Sequence, residues 1–95
     1  MNQADRQCEA ELEIINRLGL HARAAARFVS VASDYHAETE VRFAGQTANG
    51  KSIMGLMMLA ASKGSRLRII TRGPDADAAL AALEELLATR FGEPD

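Results

Sequence analysis

The chain has 95 residues, 47% of them hydrophobic and 25% charged, which gives room for one compact domain with a buried core but not for two. A formal net charge of -2 provides no general attraction to nucleic acid or to an anionic membrane. Cys8 is the only cysteine, which excludes an internal disulfide and a cysteine-based metal cluster and points to a reducing compartment, the cytoplasm.

Residues 1–7 are polar, lack the apolar stretch of a signal peptide and are expected to be flexible. No stretch approaches the ~20 apolar residues of a membrane span. From Cys8 to Ile15 the side chains alternate: Cys8, Ala10, Leu12 and Ile14 face one way and Glu9, Glu11 and Glu13 the other, the pattern of a half-buried strand. Gly19 then marks a tight connection into a helix running from Ala22 to about Ser33, with Ala25, Phe28, Val29 and Ala32 on its apolar face and Arg23 and Arg27 off it. Ser33-Asp34-Tyr35-His36 reads as the exit loop. Alternation returns from Glu38 to Phe43, and a turn at Ala44-Gly45-Gln46 predicts a hairpin whose second arm is Gln46 to Asn49.

Ser52 is a favoured helix N-cap ahead of the apolar run Ile53 to Ala61, which Lys63-Gly64 is predicted to close. Arg66 to Arg72 forms the last strand, with Leu67, Ile69 and Thr71 opposing Arg66, Arg68, Ile70 and Arg72. Asp75 or Asp77 starts the final helix, with Ala76, Leu80, Leu83, Leu86 and Leu87 as its buried stripe and fraying by Gly92. The order βαββαβα with one apolar face per strand predicts a single α+β domain over residues 1–95, a four-stranded antiparallel sheet with three helices on one face. Glu9, Glu11 and Glu13 complement Arg66, Arg68 and Arg72, so the first and last strands are expected to be neighbours, each opposite pair contributing ~0.2–1 kcal/mol.

Leu18-Gly19-Leu20-His21-Ala22-Arg23 places a histidine at the mouth of a helix, where unpaired N–H groups form an anion site and Arg23 adds a fixed charge suited to phosphate oxygens. These positive surroundings are expected to disfavour the imidazolium and keep the ring of His21 neutral and nucleophilic. On its own, a histidine here is more often a plain helix-cap residue beside a surface arginine than a catalytic one. Zinc binding by Cys8, His21 and His36 lacks ligand spacing, and an RNA-binding sheet would need exposed aromatics where this one carries Glu and Arg.

Together with Gly50-Lys51-Ser52-Ile53-Met54-Gly55-Leu56-Met57, the histidine motif resembles HPr, the histidine-containing phosphocarrier family of the bacterial phosphotransferase system, and the resemblance covers nearly the whole chain. It implies an open-faced β-sandwich that is not itself an enzyme and needs no cofactor. It also implies that His21 takes a phosphoryl group on Nδ1 from Enzyme I, assisted by Arg23, and donates it to an Enzyme IIA-type protein. Ser52 matches the position that an HPr kinase/phosphorylase modifies in some bacteria, although its hydroxyl as an N-cap is already reason enough for a serine there. Lys51, Ile53, Met54 and Met57 would form the partner-binding patch with Arg23, on a monomer. One departure stands out: Ala24 replaces the family's usual proline, which removes rigidity from the first helical turn and looks more like the nitrogen-related or regulatory branch. The competing class is a regulatory binding module that keeps the fold without productive phosphotransfer.

Overall fold

A computed structural model describes residues 6–95. In chain order the elements are β1 (Gln7–Glu13), α1 (Ala22–Ala32), β2 (Glu38–Phe43), β3 (Gln46–Asn49), α2 (Ile53–Met58), β4 (Arg66–Arg72) and α3 (Ala76–Ala88), followed by a 3-10 turn at Arg90–Gly92. The four strands form one antiparallel sheet in the order β1-β4-β2-β3. Three helices cover one face and the other face is open, the α+β open-faced sandwich expected from the sequence. The core lies between these layers, where Phe28 from α1, Leu56 from α2, Leu83 from α3 and Val41, Leu67 and Ile69 from the sheet are fully buried.

The expected pairing of β1 with β4 is present. Glu11 stands opposite Arg68 and Glu13 opposite Arg66, and the ion pairs run Arg68–Glu9 at 3.2 Å and Arg66–Glu11 at 3.4 Å. Arg72 pairs with none of the three β1 glutamates but bridges both neighbouring strands, forming an ion pair with Glu40 of β2 at 3.1 Å and donating to Gln7 Oε1 of β1 at 3.0 Å. Ile70, on the open face with these charges, is only 2% exposed because it sits mid-sheet opposite both Glu9 and Glu40, whose long side chains and those of their arginine partners can shield it. The β2–β3 hairpin closes through Ala44 and Gly45, both at positive φ, the left-handed pair that suits a two-residue turn to the twist of its strands.

Three boundaries differ from the sequence reading. Of the segment expected to be flexible, residues 1–5 lie outside the described residues, while Arg6 pairs with Asp77 at 2.6 Å and Gln7 begins β1. The second helix ends at Met58, not near Lys63: Ala60 adopts φ +53, and the chain leaves the helix so that Leu59 and Ala61 can still be buried. Gly64 therefore serves a separate turn rather than a helix end, and its N–H bonds Ile14 O at 2.7 Å. Asp75 precedes α3 as expected, but its carboxylate does not cap that helix. It accepts the N–H groups of His36 at 2.9 Å and Ala37 at 2.8 Å, so it pins the loop after α1 to the start of α3.

The third difference is the carboxyl terminus, which was expected to fray by Gly92. Instead, Phe91 is 1% exposed, and its carbonyl accepts from the Arg27 guanidinium of α1. The chain then turns back under the amino-terminal end of α1, where the Arg17 N–H bonds Asp95 O at 3.0 Å.

Candidate functional site

The segment between β1 and α1 delivers His21 to the surface. Ile14 is buried in the core, Gly19 adopts φ +71, and the Leu20 N–H bonds Ala61 O at 2.9 Å, which fixes the approach of the chain to the helix. His21 is the N-cap of α1, with extended backbone (φ -78, ψ -178), and the helix opens with Ala25 N–H to His21 O at 2.8 Å. Ala24, in place of the usual proline, leaves this start intact and is itself fully buried.

The ring is held from both sides. Nδ1 accepts the Arg23 backbone N–H at 3.3 Å, and Nε2 meets the carboxylate of Glu93. Because Nδ1 accepts, the ring proton belongs on Nε2, where it is donated to Glu93; the lone pair of Nδ1 then points toward the free N–H groups at the start of α1. Glu93 is 8% exposed, and its other oxygen accepts from Asn16 Nδ2 at 2.9 Å. Asn16, fully buried, spends its second amide hydrogen on Gly19 O at 2.9 Å. Burial alone would raise the Glu93 carboxyl, but the hydrogen bonds from Asn16 and His21, together with the positive charge of Arg27, outweigh it and hold the group below the ordinary carboxylate range.

The surroundings of His21 are therefore not simply cationic, as the sequence suggested. Arg23 is exposed and has no salt-bridge partner among the described residues, so its guanidinium is free to meet an incoming anion, but the charged group touching the ring is a carboxylate. Glu93 is the site residue that sequence reasoning missed. It lies 72 positions away, and the only hint was an isolated Phe91 after the last helix, an aromatic that had to be buried somewhere.

The second motif is placed as follows. Ser52 caps α2, its hydroxyl accepting Gly55 N–H at 3.0 Å. Ile53, Met54, Met57 and Met58 are exposed on α2, with Met54 at 69% and Met58 at 74%, while Leu56 alone turns inward. Leu18, just ahead of His21, is 55% exposed, and α1 packs beside α2. Lys51 is not brought to His21: its ammonium donates to Tyr35 O at 2.9 Å, beyond the opposite end of α1.

The fold and site define a small open-faced sandwich with a partly exposed histidine at the mouth of its first helix. The sequence matches the family described as the PTS HPr component phosphorylation site over residues 8–89. It is 54% identical to the phosphocarrier protein HPr of Pseudomonas aeruginosa over 84 residues, covering 87% of this chain and 93% of that protein. Among solved structures, HPr-C-His from Thermoanaerobacter tengcongensis superposes with a TM-score of 0.89 at 40% identity, covering 93% of this chain and 99% of that one. An HPr dimer from the same organism gives 0.74 at 41% identity, covering 86% and 94%. The chain belongs to the HPr family of phosphocarriers of the phosphotransferase system.

Proposed function

We propose that His21 is the residue that carries the phosphoryl group, on Nδ1, receiving it from Enzyme I and passing it to an Enzyme IIA-type protein. The observation that carries this reading is the pair of contacts on the ring: Nδ1 lies 3.3 Å from the Arg23 backbone nitrogen at the start of α1 and Nε2 meets the Glu93 carboxylate, an arrangement satisfied when the ring proton is on Nε2. In the transfer step an N–P bond forms at Nδ1 while the donor's bond to phosphorus breaks and its electron pair stays with the donor. The helix N–H groups and the Arg23 guanidinium take up the charge on the phosphoryl oxygens. The protein acts as the substrate of its partners rather than as a catalyst.

Partners would dock over the exposed apolar side chains of Ile53, Met54 and Met57 beside His21 and Arg23, where methionine adapts to more than one surface. Lys51, engaged with Tyr35, stands outside this patch. Phosphorylation of Ser52 by an HPr kinase/phosphorylase would place a dianion at the mouth of α2, next to Ile53 at the edge of the docking surface, and so slow acceptance at His21. The carrier would work in the cytoplasm, as a monomer in which Asn16, Arg23 and Glu93 of the same chain serve His21. No helix among the described residues is long and apolar enough to cross a membrane.

Incubation with Enzyme I and phosphoenolpyruvate followed by intact mass measurement tests the reading. Wild type should gain one acid-labile phosphoryl group and His21→Ala none; labelling that survives in His21→Ala would overturn it.

A further inference from the structure

We propose that Glu93 is a positioning residue for phosphotransfer: it locks the His21 ring with its proton on Nε2, and the carboxyl-terminal segment 90–95 exists as a strap that delivers this carboxylate. The inference rests on His21 being the acceptor, and goes beyond it by assigning a role to a residue near the end of the chain, outside both sequence motifs.

The strap is anchored at three points. Phe91 is sunk in the core, with its carbonyl held by Arg27 of α1. The turn closes on itself through Gly92 N–H to Thr89 O at 3.0 Å and Glu93 N–H to Arg90 O at 2.9 Å. Past Glu93, Asp95 is tied to Arg17 by a backbone bond at 3.0 Å and an ion pair at 3.4 Å. Arg90 and Phe91 both adopt positive φ, a conformation unfavourable for residues with a Cβ, and the segment holds it where a loose tail would relax.

Glu93 is thus presented from a fixed backbone and fixed again at its carboxylate. One oxygen is taken by Asn16, whose other hydrogen holds Gly19 of the loop that carries His21, so only the second oxygen faces Nε2. A carboxylate can only accept, so it selects the tautomer that leaves Nδ1 without a proton, its lone pair turned to the Arg23 N–H. When the N–P bond forms, the ring keeps its Nε2 proton and becomes an imidazolium, whose charge Glu93 offsets. On return of the phosphoryl group the electron pair goes back to Nδ1, and no proton needs to leave.

The same geometry makes glutamine at this position worse than a simple gap. In Glu93→Gln the Asn16 N–H requires the amide oxygen on its side, so the amide N–H₂ is turned toward His21 Nε2 and demands an acceptor there, which drives the proton to Nδ1, the nucleophilic atom. Glu93→Ala makes no such demand.

Two measurements decide it. Ring ¹⁵N NMR of the unphosphorylated protein, at a pH where the ring is neutral, should show Nε2 protonated in wild type and a substantial Nδ1–H population in Glu93→Gln. With phosphorylated Enzyme I as donor, Glu93→Gln should lose about tenfold or more in transfer kcat at unchanged KM, the lower end of the loss on removing the carboxylate partner of a metal-bound histidine, and Glu93→Ala should lose less. A merely structural role predicts the reverse order, with the isosteric Gln near wild type and Ala worst, and no change of tautomer; either result would overturn the proposal. The NMR arm needs no phosphotransfer, so the tautomer assignment fails or stands independently of the acceptor reading, which the His21→Ala labelling decides.

Discussion

Gly19 passes so close to Ala61 that a Cβ built on the glycine would lie 2.8 Å from the Ala61 carbonyl oxygen and 2.9 Å from Ser62 Cα. The neighbouring Leu20 N–H bonds that same carbonyl, so the loop that presents His21 is stitched to the chain leaving α2. Any side chain here also meets φ +71. Gly19→Ala should therefore cost about 2 kcal/mol or more, from left-handed strain added to a backbone clash. Urea unfolding checks this, and an unchanged midpoint would show that the two segments separate freely.

Ser52→Ala removes the hydroxyl that accepts Gly55 N–H at the start of a six-residue helix. The expected loss is about 1 kcal/mol, read as a lower urea midpoint at unchanged slope. A larger loss with a changed slope would mean that α2 unfolds as a unit when its cap is lost.

Phe91→Ala should cost about 3–5 kcal/mol, the range for emptying a buried aromatic site. Because Phe91 anchors the strap, the variant should also slow phosphoryl acceptance at a temperature where it remains folded. If acceptance stays at the wild-type rate in the folded variant, the anchor does not serve His21.

Acid should unfold the protein partly through Glu93. Its folded carboxyl lies below the ordinary value, so its contribution is complete above the unfolded-state value of about 4.3 and is lost as pH falls through the folded one. Urea midpoints measured from about pH 6 to about pH 3 should decline less steeply in Glu93→Ala than in wild type. Parallel declines would assign acid sensitivity to other carboxylates, such as Asp75, which its bonds from His36 and, despite some burial, Ala37 hold below the usual range.

The elements legible in the sequence were those whose neighbours impose a period. β1 and β4 alternate because one face is covered and the other wet, and the opposite signs of their outer faces foretold that they pair. The mouth of α1 was legible because a glycine turn, a histidine and an arginine fall within six residues. The end of α2 was misread because burial of Leu59 and Ala61 continues the apolar run past the helix, and no residue type signals the positive φ at Ala60. Glu93 escaped for a different reason. Gly92 and Pro94 look like a chain giving up structure, and a contact made 72 residues away by one carboxylate has no local pattern to betray it.

The most direct measurement is ¹⁵N and ³¹P NMR of the protein phosphorylated by Enzyme I and phosphoenolpyruvate. Phosphorus coupled to Nδ1 of His21, with Nε2 still protonated, is the predicted result. Phosphorus on Nε2, or on any other residue, would contradict the arrangement in which Glu93 holds one ring nitrogen so that the other can react.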